Sequence, residues 1–333
     1  MFPLFPPPLP HGTALLALTL SLSLALLILW LLTVYAYASS LLSPPRMTDG
    51  KAAARLGRLS PADLGYTFQT LSLPPLPSDP HSISQTAWWI PAHTPSARTA
   101  VLLHGYADAK VGALAWAPHF RHLGYNLLLP DLRAHGESGG THTTAGVREA
   151  TDLARLLSHL QQAHPTESRH LVLFGASLGA ATISRLLTAP DLLPSAANVR
   201  AAIFDSPVAS FDRGTLQHAR LLALPGPLVG QPALRLARFL TGADFALASV
   251  ARNLPRLSVP CLLILPQNDA FLSPRDRQAL ESAFNELRSR LPTSTLLSRQ
   301  APHLLTASLF SADYQQTLTT FLDKLPEPNL VSL

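Results

Sequence analysis

Phe174-Gly175-Ala176-Ser177-Leu178-Gly179-Ala180 is the stretch on which the fold turns. The apolar run Leu171-Val172-Leu173-Phe174 leads into it, and the small-residue run Ala180-Ala181-Thr182-Ile183 leads out. The pattern reads as strand, sharp turn and helix, with Ser177 at the apex. In Gly-x-Ser-x-Gly the glycines have a steric task. The serine is held in a strained backbone conformation, while strand and helix pass too close for Cβ atoms. The helix that follows points its free N–H groups and positive dipole end at the serine oxygen. That setting suits a hydroxyl that attacks a carbonyl beside a developing oxyanion. The pentapeptide alone is weakly specific, and its context carries the reading.

Outward from this turn the chain alternates between apolar strands and amphipathic helices. Strands are predicted at residues 66–73, 86–90, 99–103, 125–129, 171–174, 201–204, 261–265 and 294–297. Helices are predicted at 114–123, 145–163, 275–291 and 312–325, besides the one after Ser177. In the second of these, Val147, Ala150, Leu153, Ala154, Leu157 and Leu160 share one face, with Arg148, Glu149, Asp152 and Arg155 off it. Such alternation means an α/β fold: a mostly parallel eight-stranded sheet with helices on both faces, the first two strands being candidates for antiparallel pairing. A long insertion, about 208–253, separates the strands ending at Phe204 and starting at Cys261. It contains a helix at 232–240, framed by Pro232 and Gly242, with Leu234, Ala237 and Leu240 as its stripe. This insertion reads either as ordinary helix packing or as a helical cap with an acyl-accepting inner face.

Before the domain at 66–325 lie three segments: a tail at 1–14, an apolar stretch at 15–38 and a linker at 39–65. A second tail, 326–333, follows the domain. Residues 15–38 (LLALTLSLSLALLILWLLTVYAYA) carry no charge and exceed the 20 or so residues that cross a hydrocarbon core as a helix. Trp30, Tyr35 and Tyr37 lie where an aromatic belt would sit. A cleaved signal peptide is the competing reading, because Ala36-Tyr37-Ala38 resembles a cleavage site. Against it, the n-region lacks positive side chains and the apolar run is too long. The segment is therefore taken as a single-pass transmembrane anchor. Arg46, Lys51, Arg55 and Arg58 on its C-terminal side, with no Lys or Arg before it, favour a catalytic body on the cytoplasmic side. Pro44-Pro45 breaks the helix.

Composition narrows the function classes. The 333 residues suffice for one large α/β domain plus an appendage. The single cysteine, Cys261, excludes an intramolecular disulfide framework and a cysteine-rich zinc site, and its apolar surroundings read as core. The net charge of +5 comes from scattered arginines without a basic run, so nucleic acid is not an expected partner. The 13 histidines include no His-Glu-x-x-His, and His81 and His142 fall in polar loops.

An activated serine needs a base, and the base needs an orienting acid; in this architecture the acid follows a later strand and the histidine comes last. Asp269 follows the strand at 261–265, and His303 follows the strand at 294–297. The triad is therefore expected to be Ser177, His303 and Asp269. Asp205, after the strand at 201–204, is the rival acid, and Ser206-Pro207 beside it point to a turn-capping role. Two backbone donors should hold the oxyanion: the N–H of Leu178 and that of Tyr106 in His104-Gly105-Tyr106, where Gly105 allows a tight path.

Four stretches in this order carry a resemblance: Leu102–Tyr106, Asp131-Leu132-Arg133-Ala134-His135-Gly136-Glu137-Ser138 with Pro130 before it, Gly175–Gly179, and the acid and histidine loops. Together they resemble the α/β-hydrolase superfamily, nearest the serine-aminopeptidase/monoacylglycerol-lipase-like and membrane-anchored esterase-like branches. The resemblance spans roughly residues 66–325. It implies an α/β-hydrolase fold with a variable cap over 208–253, a structural role for the 131–138 loop, and no general-base role for His104 or His135. Two positions depart from the family pattern: Pro302 stands before the histidine and Pro266 three before the acid, where glycine is usual. The expected activity is that of a membrane-anchored serine hydrolase, a carboxylic-ester hydrolase, without metal or organic cofactor. Its expected partners are a small-molecule ester with an apolar acyl group and the lipid bilayer. The alternatives are a peptidase or amidase on the same triad, and a non-catalytic membrane-tethered module.

Overall fold

The computed structural model describes residues 11–195 and 197–325; most of the expected N-terminal tail and the C-terminal tail at 326–333 lie outside them. The chain runs α1 (His11–Leu42), α2 (Asp49–Leu56), β1 (Gln69–Leu73), β2 (Gln85–Ile90), β3 (Arg98–Leu103), α3 (Lys110–Ala113), α4 (Ala117–His122), β4 (Asn126–Pro130) and α5 (Val147–Ala163). It continues β5 (His170–Ala176), α6 (Leu178–Thr188), β6 (Val199–Asp205), α7 (Phe211–Leu221), α8 (Gln231–Thr241), α9 (Val250–Asn253), β7 (Cys261–Ile264), α10 (Pro274–Arg290), β8 (Thr295–Leu297), α11 (Thr306–Leu309) and α12 (Ser311–Asp323).

The eight strands form one sheet in the order β1-β2-β4-β3-β5-β6-β7-β8. β1 and β4 pair antiparallel to β2, and the other pairings are parallel. Successive side chains of each central strand enter opposite cores. Val101, Leu103, Leu171 and Leu173 pack with α5, α6 and α10, whereas Ala100, Leu102, Val172 and Phe174 pack with α4 and α12. Burial on both faces is why these strands read as unbroken apolar runs. Cys261 is fully buried in β7, and burial pushes its thiol up.

Helix starts follow local chemistry. The helix expected from residue 145 begins at Val147, because Gly146 is left-handed (φ +101°) and its N–H donates to Glu149 Oε2 at 3.0 Å. The helix expected at 114–123 is the shorter α4, from Ala117 to His122, with α3 lying before it. Pro118 cannot donate to an upstream carbonyl, so it occupies the first turn of a new helix.

The segment at 39–65, expected as linker and lead-in, holds the end of α1 and all of α2. α1 continues to Leu42, and α2 is capped by Thr48 and ended by left-handed Gly57 (φ +63°). Ala52 of α2 joins the core. Arg46 donates to the carbonyls of His135, Gly136, Ser138 and Gly140 at 3.2, 2.6, 2.6 and 2.8 Å. Arg46 is thus a structural clamp rather than a free flanking charge, and Lys51 Nζ donates to its carbonyl.

Among the described residues, α1 alone is long and apolar enough to cross a membrane. Its residues 12–32 are exposed, whereas Val34, Tyr37, Ala38, Leu41 and Leu42 are buried. The first four pack against Ala219, Val229 and Ala233 of the insertion, so α1 and the insertion share a small core.

Gly175 and Gly179 hold β5, α6 and β3 together at close range. A Cβ on Gly175 would lie 2.4 Å from the Gly179 carbonyl carbon, and one on Gly179 would lie 2.6 Å from the Leu103 carbonyl oxygen. Gly179→Ala is therefore expected to destabilise the protein by about 2–3 kcal/mol, with the thermal midpoint falling by about 5 °C in a melting experiment.

Candidate active site

Ser177 sits between β5 and α6 with φ +49° and ψ −102°, a conformation in which few non-glycine residues are found. Its N–H donates to the Asp205 carbonyl at 2.9 Å, which ties the turn to the neighbouring strand. α6 begins at Leu178, so the N–H of Leu178 is one of the donors without an intrahelical acceptor, and the positive end of the helix dipole faces the serine.

His303 and Asp269 are brought together from loops 34 residues apart, with His303 Nδ1 2.6 Å from Asp269 Oδ2. The carboxylate can only accept, so Nδ1 carries the proton and Nε2 is left as the free base nitrogen. The Asp269 side chain is almost wholly buried, and its other oxygen accepts from the Phe271 N–H at 2.9 Å. The Phe271 ring meets the imidazole edge-on, with centroids 5.0 Å apart. The two loops are zipped by backbone bonds from Gln267 to Arg299 and from Asn268 to Ala301. Pro266 and Pro302 stand in these loops without keeping the acid and the histidine apart.

Asp205 lies elsewhere. It is fully buried beneath the site, and its Oδ2 accepts from Trp116 Nε1 at 3.2 Å and Tyr314 OH at 3.0 Å. Its Oδ1 accepts from Ser206 Oγ at 2.8 Å, and that same hydroxyl accepts the Leu304 N–H at 3.0 Å. Burial pushes the Asp205 carboxyl up, against the three hydroxyl and indole donors. The expected turn-capping role is therefore too small a description. Asp205 joins α12 and the segment before α4 to the sheet, and supports the residue next to His303.

The loop at 131–138 is a polar cradle. Asp131 accepts the backbone N–H groups of Lys110 (2.7 Å) and Glu137 (2.9 Å) and the Lys110 ammonium (2.6 Å). Gly136 (φ +45°) is required there, because a Cβ would lie 2.2 Å from the Asp131 carboxyl carbon. His104 is fully buried; its Nδ1 lies 2.7 Å from the Gly105 carbonyl, to which it donates, and its Nε2 accepts from Leu132 N–H at 3.0 Å. Burial holds His104 and His135 below the ordinary imidazole range, so both are neutral fixtures. Gly105 has an ordinary φ and room for a Cβ, 3.6 Å from that of Ser177, so its expected steric role is not needed.

A cavity of ≈ 340 Å³ opens on these residues. Ser177, Leu178, Tyr106 and His303 all line it, and Asp269 stands behind His303. Ala181, Val208, Phe211, Phe271 and Leu304 make the rest of the wall mostly apolar. Burial pushes the Tyr106 phenol up to about 12, and its hydroxyl donates to the Ser40 carbonyl. The lining also includes Ser40 and Leu41 of α1 and Thr215 and His218 of α7, none of which the sequence singled out. The polar break Ser39-Ser40 at the end of the apolar run is the one local sign that this end of α1 belongs to the folded body. Among the described residues no group of three or more His, Cys, Asp or Glu could hold a metal ion.

A family model described as "Alpha/beta hydrolase family" matches residues 100–326. The uncharacterized protein YqkD of Bacillus subtilis (strain 168) is 28% identical over 240 residues, covering 71% of this chain and 73% of YqkD. Among solved structures, the Pyrococcus furiosus esterase Pf2001 superposes with a TM-score of 0.65 at 23% identity, over 85% of this chain and 99% of that one. A Pyrococcus horikoshii acylaminoacyl peptidase superposes with a TM-score of 0.56 at 11% identity, over 80% of this chain and 43% of that one. At these identities the structural likeness is one of fold.

Proposed function

Because the chain belongs to the alpha/beta hydrolase family, we propose that it is a membrane-anchored serine hydrolase that cleaves carboxylic esters with an apolar acyl group. Ser177 Oγ attacks the ester carbonyl, and His303 Nε2 takes its proton. The tetrahedral oxyanion rests on the Leu178 and Tyr106 N–H groups. Collapse expels the alcohol, which receives the proton from His303. Water, deprotonated by the same imidazole, then releases the acid from the acyl-enzyme. Asp269 holds the imidazole tautomer and stabilises the imidazolium.

The observation that carries this reading is the 2.6 Å contact between His303 and Asp269 beside a positive-φ serine on the wall of one apolar cavity. The ester reading is favoured over an aminopeptidase because the described lining contains no carboxylate to grip a substrate ammonium.

Anchoring is supported by the length of α1. Its exposed residues 12–32 span about 30 Å at 1.5 Å per residue, the thickness of a hydrocarbon core. The burial of Val34, Tyr37 and Ala38 against the cap supports a retained helix over a cleaved one. The body is assigned to the cytoplasmic side on Arg55 and Arg58, which remain as flanking charge.

The test uses the full chain in detergent micelles with a fluorophosphonate probe and p-nitrophenyl esters of increasing chain length. One labelled peptide containing Ser177, with ester turnover blocked by the label, is the expected result. No labelling together with no turnover of any ester would remove the hydrolase reading. Labelling without ester turnover would move the substrate to amides.

A further inference from the structure

Part of the cavity wall belongs to the anchor. Ser40 and Leu41, in the last turn of α1, line the same space as Ser177 and His303. This end of α1 is held by directed contacts as well as by packing. The Tyr37 hydroxyl donates to the Thr215 carbonyl at 2.6 Å, and its ring stacks on His218 with centroids 5.9 Å apart. Higher up the helix, Trp30 Nε1 donates to the Leu228 carbonyl at 2.7 Å. Leu42 is fully buried, and its carbonyl accepts the Thr143 N–H at 2.8 Å. The Tyr106 hydroxyl donates to the Ser40 carbonyl, so α1 also grips the loop whose N–H is assigned to the oxyanion. The Ser40 hydroxyl is turned back onto the Tyr37 carbonyl at 2.8 Å, which leaves Leu41 as an apolar contributor to the wall.

A second wall position points the same way. Gly214 lies inside α7, its N–H bonded to the Ser210 carbonyl at 2.9 Å. Its φ is not in the left-handed region, and the nearest atoms a Cβ there would meet are those of the Val208 side chain, at 3.6–3.7 Å, an ordinary contact. Neither backbone nor packing demands glycine, and helix interiors disfavour it relative to alanine. Gly214 lines the cavity, so the missing side chain leaves room for something other than protein.

We propose that Leu41 of α1 and Gly214 of α7 set the length of the acyl group the site accepts, which makes the membrane helix part of the substrate site as well as its tether. This inference rests on the ester-hydrolase reading and deepens it. An acyl chain leaving the Ser177 carbonyl centre runs between these two positions. Bulk added at either one excludes the far end of the chain and spares the carbonyl.

The experiment measures the rate of Ser177 labelling by ethyl- and dodecyl-bearing fluorophosphonates, alongside turnover of p-nitrophenyl esters from two to sixteen carbons. It uses the full chain in micelles and the Leu41→Trp and Gly214→Leu variants. The long-to-short ratio is expected to fall at least tenfold in each, since a single methylene in an apolar pocket is worth about 10–200-fold. Gly214→Ala, a mild change that the helix accepts, should shift the ratio in the same direction by a smaller factor. A purely structural role would slow both probes by one common factor. An unchanged ratio, or equal slowing at both lengths, therefore overturns the proposal while the parent enzyme still labels. A parent that does not label at all overturns the hydrolase reading itself. A parent that labels without turning over esters leaves the probe ratio as the judge of the wall.

Discussion

Replacing Ser177 by alanine is expected to lower kcat/KM for the best ester by about 10⁴–10⁶-fold, leaving the folded protein intact. The size of the effect follows from covalent catalysis. Without Oγ there is no acyl-enzyme, and His303 is left with a water that the site does not position. The residual rate comes from oxyanion donors and binding alone. The side chain makes no contact on which the fold depends, since the turn is held through the Ser177 N–H on the Asp205 carbonyl. Alanine keeps the Cβ and with it the strain of φ +49°, so Ser177→Ala is expected to leave the thermal midpoint nearly unchanged, whereas Ser177→Gly, which removes the Cβ, should raise it modestly. Steady-state turnover and a melting curve on the same preparation check both halves. A variant that retains turnover within tenfold of the parent would place the nucleophile elsewhere.

The second large effect separates the two acids. Asp269→Asn is expected to cut kcat by about 10⁴-fold with little change in stability. The amide can donate to Nδ1, which places the ring proton on Nε2, where the base must be free. Asp205→Ala is expected to behave in the opposite way. It leaves Trp116 Nε1, Tyr314 OH and Ser206 Oγ without their buried acceptor. Unmet buried donors cost about 1–3 kcal/mol each, so a loss of at least 3 kcal/mol in unfolding free energy is expected. Any fall in activity should follow the loss of the Ser206–Leu304 support beside His303. Denaturant unfolding and kcat of the two variants distinguish the roles. A loss of kcat of about 10⁴-fold in Asp205→Ala with near-parental kcat in Asp269→Asn would exchange them.

Much of the site lay open in local pattern. The strand–turn–helix around Ser177 is legible because steric demand at Gly175 and Gly179 writes itself into adjacent residues. The central strands were legible because burial on both faces leaves unbroken apolar runs. The order of serine, acid and histidine followed from which strands end in polar loops. What escaped was of another kind. Residues 39–65 looked like linker and lead-in because α2 is short and its core contacts are few, a buried Ala52 and a half-buried Leu56. Arg46 looked like flanking charge because its four carbonyl partners lie about 90 residues away.

The sequence by itself determined the fold class, the apex serine, the two loops that carry histidine and acid, and a helix long enough to span a bilayer. Each of these depends on residues close together along the chain. The tertiary structure alone decided that His303 meets Asp269 while Asp205 sinks into the core as a triple acceptor. It alone decided that the last turn of α1 becomes a wall of the cavity. The physical reason is common to both outcomes. They are set by which polar groups find partners across the sheet and between helices, over separations of 34 to almost 180 residues, and no local periodicity encodes those pairings.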